Sequence, residues 1–282
     1  MSTSTAGETA WERHGSGPPV VLIHGFGLNR AMWQWQLPAL TPQFSVLTYD
    51  LLGHGESAPP AGTPCLAMFS RQLLGLMDRC GIERAAIVGF SLGGMIARRA
   101  ALDHPDRLSA LAILNSPHDR SPAEREAVRA RVRQTETDGP AANVEPALER
   151  WFTPAFRAEA PETVALVRRW IARNDPALYP QIYRVLAEGD AEIANGLERI
   201  ACPALVMTGE DDPGNTPAMA RVMAGLIPGA RLAILPGLRH MALAEAPETV
   251  NAPLCAFLRD ATIRLQESVH GSGTVAPRQP GC

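Results

Sequence analysis

Lysine is absent from the 282 residues, so all 26 Lys+Arg positions are arginine. That excludes Schiff-base lysines and Ser-Lys dyads outright. Cysteine is scarce: five residues at 65, 80, 202, 255 and 282, odd in number. They form no C-x-x-C pair and have no histidine at metal-ligand spacing, which argues against a thiolate metal site. A chain this long buries about three quarters of its unfolded surface and needs no disulfide framework; mostly reduced thiols and a cytoplasmic setting are expected. No apolar stretch approaches the ~18 residues of a membrane span. The N-terminal MSTSTAGETAWERHGSG lacks the apolar core of a signal peptide, so export is not expected. Basic runs are missing too, and 26 Lys+Arg against 29 Asp+Glu leaves a charge of −3, which speaks against nucleic acid as the main partner. What is present, 46% hydrophobic and 20% charged residues, is the composition of a globular protein.

Short apolar runs alternate with helix-length segments. Val20–Ile23, Ser45–Tyr49, Ala86–Gly89, Leu111–Leu114, Leu205–Met207 and Leu232–Leu235 read as buried strands. Between them Leu66–Cys80 and Leu92–His104 are expected to be helices, stopped by Gly81 and Pro105; others should cover about 216–227 and 247–265. Near-continuous apolar strands separated by helices predict an α/β fold, with a mostly parallel sheet covered on both faces. Residues 118–199 break the rhythm: rich in Arg, Glu and Ala, with helical spacing at 123–135 and 163–173, they predict a helical cap over the strands' C-terminal edge. The expected organisation is a core of residues 1–117 and 200–267, a cap of 118–199, and a disordered Gly/Ser/Pro-rich tail of 268–282.

The strongest chemical signal is Gly89-Phe90-Ser91-Leu92-Gly93-Gly94, between a strand and a helix. This is G-x-S-x-G in the strand–turn–helix setting of a nucleophile elbow. Side chains at 89 and 93 would collide with the neighbouring strand or helix, and the turn lifts the Ser91 hydroxyl clear of the sheet. The blander alternative is a Gly-rich turn with a capping serine. His24-Gly25-Phe26-Gly27 follows the first strand beside the elbow, so the N–H groups of Phe26 and Leu92 are the expected oxyanion hole.

Seven histidines are candidates for the base. His240, just past the last strand, lies where catalytic residues collect in open α/β sheets. His24 and His54 read as braces of loops, His104 as a helix cap, and His14 and His270 as members of irregular termini. His118 sits at the mouth of the cap and is a candidate for lining the pocket. Glu210, Asp211 and Asp212, just after a strand, are the candidates for the acid, in the chain order Ser…Asp…His.

With HGFG (24–27), YDLLGHGES (49–57), GFSLGG (89–94), TGEDD (208–212) and PGLRH (236–240) in place, the chain resembles the α/β-hydrolase superfamily from about 18 to 265. The resemblance implies an acid three residues after Gly209, hence Asp212, with Asp211 next. Leu52 departs from the arginine many members carry there. The cap and Asn174-Asp-Pro-Ala-Leu-Tyr179 are most similar to the 3-oxoadipate enol-lactonase group of esterases and lactonases. Serine at 91 is unlike the aspartate of haloalkane dehalogenases and epoxide hydrolases.

The expected activity is hydrolysis of a small ester or lactone by Ser91, His240 and Asp212 through an acyl-enzyme, without a metal or organic cofactor. The expected pocket lining is Met95, His118, Trp151, Phe152 and Met241. Arg168, Arg169 and Arg173 could bind a substrate carboxylate, although a solvated helix face is the simpler reading. Two rivals stay open: a cofactor-free perhydrolase or haloperoxidase with the same triad, and a ligand-binding protein that kept the fold.

Overall fold

In the computed structural model, which describes residues 9–271 (side chains through 267), the branched apolar runs form strands. These are β1 (Trp11–His14), β2 (Pro19–Ile23), β3 (Ser45–Tyr49), β4 (Ala85–Phe90), β5 (Leu108–Leu114), β6 (Ala204–Gly209) and β7 (Arg231–Leu235). They make one sheet in the order β1-β3-β2-β4-β5-β6-β7. β1 runs antiparallel to β3 and all other pairs are parallel. β3, β4 and β6 are buried along their whole length, which requires a cover on both sheet faces.

β1 was not expected. Its sequence, WERH, is polar and half-buried throughout, as suits a short edge strand that must not recruit other chains. His14 therefore closes a strand; it does not sit in an irregular terminus.

The α-helices are α1 (Leu37–Leu40), α2 (Leu66–Arg79), α3 (Leu92–Asp103), α4 (Pro122–Asp138), α5 (Val144–Trp151), α6 (Pro154–Glu159), α7 (Pro161–Ala172), α8 (Tyr179–Glu192), α9 (Pro217–Leu226), α10 (Ala242–Glu245) and α11 (Pro247–Gly271). α2 packs on α3, and α3 on β4 and β5, whereas α1 and α10 pack with α11. Ser121 and Glu124 form a capping box that starts α4, and Thr216 caps α9, each satisfying amides that the first helical turn leaves free. From α4 to α8 the chain between β5 and β6 is helical and contains no strand. α11 runs past the expected end at 265, because Gln266 and Glu267 are good helix formers and Gly271 is the first stop signal. Residues 268–271 are thus helical in backbone, not tail; 272–282 lie outside the described residues. Among the described residues no helix is long and apolar enough to cross a membrane.

The chain steps from β2 to β3 on one side and returns to β4 on the other, so the strand order reverses between β2 and β4. In an open parallel sheet the crevice beyond the strand ends at that point is where ligands bind. The loops leaving β2 and β4 meet there.

Candidate active site

Ser91 occupies the turn between β4 and α3 with φ 55° and ψ −114°, a conformation that costs a non-glycine residue on the order of 1–3 kcal/mol. Close packing holds it there. A Cβ on Gly89 would lie 2.2 Å from Gly93 O, and one on Gly93 would lie 2.2 Å from Ile23 O. One on Gly94 would meet Ser116 Cβ at 2.6 Å. The Ser91 N–H donates to Leu114 O at 2.9 Å, and Ser116 Oγ donates to Ser91 O at 2.8 Å. Behind the elbow the fully buried Arg98 of α3 donates to Gly94 O, Ser116 Oγ and Pro117 O. Its burial lowers its pKa to about 9.

The loop after β2 lies against the elbow: a Cβ on Gly25 would be 2.8 Å from Phe90 Cδ1 and 3.3 Å from Ser91 Cβ. Two buried histidines shape it. His24 accepts from the Leu51 N–H at 2.9 Å through Nε2 and reaches Gly25 O at 2.8 Å through Nδ1. His54 accepts from the Gly27 N–H at 3.1 Å through Nε2. An N–H facing Nε2 leaves no room for a second proton, and burial lowers the two pKa values to about 4 for His24 and about 3 for His54. Both are neutral braces. The Phe26 N–H has no acceptor among the described residues, and the Leu92 N–H, first in α3, has no intrahelical one.

His240 follows β7. Its Nδ1 donates to Asp212 Oδ2 at 2.7 Å, and its ring lies between Phe90 and Trp151, with centroids 4.8 and 5.5 Å away. The acid turn is laced to the histidine loop. The N–H groups of Glu210 and Asp211 donate to Leu235 O and Leu238 O, both at 2.9 Å, and a Cβ on Gly209 would strike Leu238 O at 2.2 Å. Glu210 and Asp211 are exposed while Asp212 is buried. Asp212 also accepts from Asn115 Nδ2 and from the N–H groups of Gly214 and Asn215, each at 3.0 Å. Burial pushes its pKa up, but the His240 charge and these hydrogen bonds outweigh that and hold it below the ordinary carboxylate value.

Sequence reasoning missed Asn115 and Asn215. Asn115 sits at φ 46°, a left-handed position that favours asparagine, and the turn residues Asn115-Ser-Pro were a usable signal. Asn215, in the loop after the acids, carries no comparable signal in the sequence.

Ser91, Asp212 and His240 border one cavity of about 180 Å³, with Phe26 and Trp151 beside them and residues of α4, α5 and α8 above. Of the expected lining only Trp151 is there. Met95, Phe152 and Met241 are completely buried and His118 nearly so, because each turns into the packing between elements. His118 accepts from Arg98 at 3.3 Å, and its burial lowers its pKa to about 4. Arg168, Arg169 and Arg173 do not border this cavity; Arg168 pairs with Glu145 at 2.6 Å on the outer surface. Among the described residues no cluster of His, Cys, Asp or Glu could hold a metal ion.

The helical segment is clasped to the site. Met241 N–H donates to Trp151 O at 2.9 Å, and Arg239 donates to Glu149 O at 2.7 Å. Asn174 Nδ2 donates to Gly27 O at 2.9 Å, and Phe26 packs on Tyr179 and Tyr183 with centroids 4.4 and 4.5 Å away.

A family model described as the alpha/beta hydrolase fold matches residues 18–139. The chain is 33% identical to an (E)-2-((N-methylformamido)methylene)succinate hydrolase of Acinetobacter baylyi, over 86% of this chain and 91% of that one. It is 28% identical to a 3-oxoadipate enol-lactonase of the same species, over 86% and 89%. A solved enol-lactonase from Burkholderia xenovorans superposes with a TM-score of 0.83 at 30% identity, covering 89% of this chain and 96% of that one.

Proposed function

The chain belongs to the α/β-hydrolase fold family, and from that premise we propose that it is a serine hydrolase cleaving a small carboxylic ester or lactone through an acyl-enzyme on Ser91. The observation that carries the reading is the 2.7 Å hydrogen bond from His240 to the buried Asp212, opening on the cavity that also exposes Ser91 at its strained turn. Hydrolase relatives that act on an enol-lactone and on a substituted succinate support it.

Ser91 Oγ attacks the substrate carbonyl and gives its proton to His240 Nε2. Asp212, held ionised, keeps the other imidazole nitrogen protonated and stabilises the cation that forms. The oxyanion is received by the N–H groups of Phe26 and Leu92, each worth about 2.7–4 kcal/mol of transition-state stabilisation. Collapse of the tetrahedral intermediate breaks the ester bond, and His240 protonates the departing alkoxide. A water that gives its proton to His240 then attacks the acyl carbonyl; collapse of the second tetrahedral intermediate breaks the bond to Ser91 Oγ, which takes that proton back from His240 as the free acid is released. No hydrogen bond joins Ser91 Oγ to His240 among the described residues; pairs of this kind tighten when substrate enters. The segment from α4 to α8 acts as a cap, its helices α4, α5 and α8 contributing to the cavity wall.

Hydrolysis of a panel of p-nitrophenyl esters and simple lactones by the wild type and Ser91→Ala tests the reading. Turnover that falls by on the order of 10⁴-fold or more in the variant is expected. A folded wild type that turns over none of them, or turnover that survives the substitution, would overturn it.

A further inference from the structure

The loop that carries His240 also completes a helix of the cap. α5 ends at Trp151, and the Phe152 N–H closes its last turn on Leu148 O at 3.1 Å. The Thr153 N–H, next in line for Glu149 O, donates instead to the Glu245 carboxylate of α10 at 3.1 Å, and the Thr153 hydroxyl donates to the same group. The carbonyls of Glu149, Trp151 and Phe152 are thereby left without helical donors, and the histidine loop supplies one to each. Arg239 Nη1 donates to Glu149 O at 2.7 Å and to Phe152 O at 3.2 Å. The Met241 N–H donates to Trp151 O at 2.9 Å. Both neighbours of His240 thus hold the end of α5, while the imidazole between them turns to Asp212.

Arg239 suits that place. It is half-buried, and the Glu149 carboxylate faces Arg157 at 3.8 Å, so the Arg239 guanidinium is spent on the backbone carbonyls. A cation there meets the negative end of the α5 dipole, and a hydrogen bond from a charged donor is about twice as strong as a neutral one. The core holds the near side of the loop: the Asp211 N–H donates to Leu238 O at 2.9 Å and the Gly237 N–H to the Glu210 carboxylate at 3.0 Å. Those core bonds end at Leu238. The same contacts with α5 set the Trp151 ring against the imidazole, centroids 5.5 Å apart.

We propose that Arg239 is a positioning residue for the base: its guanidinium completes the end of α5, and that contact fixes the backbone on which His240 meets Asp212. The cap then holds part of the catalytic machinery as well as part of the cavity wall. The proposal rests on the serine-hydrolase reading for the role of His240, and its first test needs no turnover.

A proton shared between an imidazole and a buried carboxylate gives a low-field proton magnetic resonance, and that of His240 Nδ1–H is identified by its loss in His240→Ala. In full-length Arg239→Met, shown by thermal melts to be folded, this resonance should broaden or vanish, and Arg239→Lys should restore part of it. Should Arg239→Met not fold, Arg239→Gln, which keeps a donor without the charge, carries the same comparison. Arg168→Met removes the ion pair with Glu145 at the other end of α5 and should leave the resonance in place, since exposed pairs contribute little. On the best ester of the panel, kcat should fall about 10- to 100-fold in Arg239→Met, the range for losing a hydrogen bond to a charged group. KM should change little, because the interaction acts on the chemical step and not on substrate binding. A resonance and kcat unchanged in folded Arg239→Met, a loss confined to KM, or an equal loss in Arg168→Met overturns the proposal and leaves the hydrolase reading intact. A resonance that responds as expected in a protein that hydrolyses no ester supports the positioning role and defeats the hydrolase reading instead.

Discussion

Asn215 Nδ2 lies 2.9 Å from His240 Nδ1 and 3.3 and 3.4 Å from the two carboxylate oxygens of Asp212. The imidazole nitrogen that donates to Asp212 cannot also accept from the amide, so the amide's protons serve the carboxylate. Asn215 thereby fills the angle between acid and base, and its own N–H fixes Asp212 Oδ1 from the other side. It is a positioning residue for the pair.

Asn215→Ala should therefore lower kcat by about 10- to 100-fold with little change in KM, the range for losing a hydrogen bond to a charged group. Steady-state kinetics on the best ester of the panel would check this, and an unchanged kcat would contradict it.

The three acids of the turn are not equivalent. Asp212→Asn should reduce kcat by on the order of 10⁴-fold, because the wrong imidazole tautomer is favoured. Asp211→Asn should stay within about twofold, since the exposed side chain leaves the structural work to its backbone N–H. Comparable losses in both would contradict the assignment of Asp212.

Two glycine substitutions should act with opposite sign. Gly93→Ala places a Cβ 2.2 Å from backbone oxygen Ile23 O and should cost about 1–3 kcal/mol or more. Gly75, on the exposed side of α2, has nothing within 4 Å of its added Cβ, so Gly75→Ala should stabilise by about 0.5–1 kcal/mol. Urea unfolding of the two variants measures both.

His24 and His54 impose a pH dependence on stability. Both have folded pKa values below the ordinary 6.5, near 4 and near 3. Between those limits the unfolded chain binds protons that the folded chain refuses, so stability is full above about pH 6.5 and falls as the pH drops towards 4. The loss should reach about 2 kcal/mol per histidine between pH 7 and pH 5. Asp212 has a depressed pKa, so its contribution is intact over that window and is lost only in more acid solution. Urea unfolding free energies that do not change from pH 7 to pH 5 would contradict this.

The sheet was legible because parallel strands buried on both faces must be apolar throughout, as Val20–Ile23 and Leu111–Leu114 are. The Ser91 turn was legible because its glycines answer local backbone demands: both Gly89 and Gly93 face backbone atoms that leave no room for a side chain. β1 was not, since an edge strand such as WERH needs neither alternation nor an apolar run. The cavity lining was not either. Met95, Phe152 and Met241 look like pocket residues by type, but which way a side chain turns depends on how α3, α5 and the histidine loop pack together.

The proposed chemistry turns on Ser91 as the nucleophile and His240 as its base. The most direct measurement is peptide mapping by mass spectrometry after treatment with a fluorophosphonate, in the wild type, Ser91→Ala and His240→Ala. A single adduct on Ser91 is expected, absent in Ser91→Ala and formed far more slowly in His240→Ala. No adduct on the folded wild type, or an adduct on another residue that persists in Ser91→Ala, would contradict it.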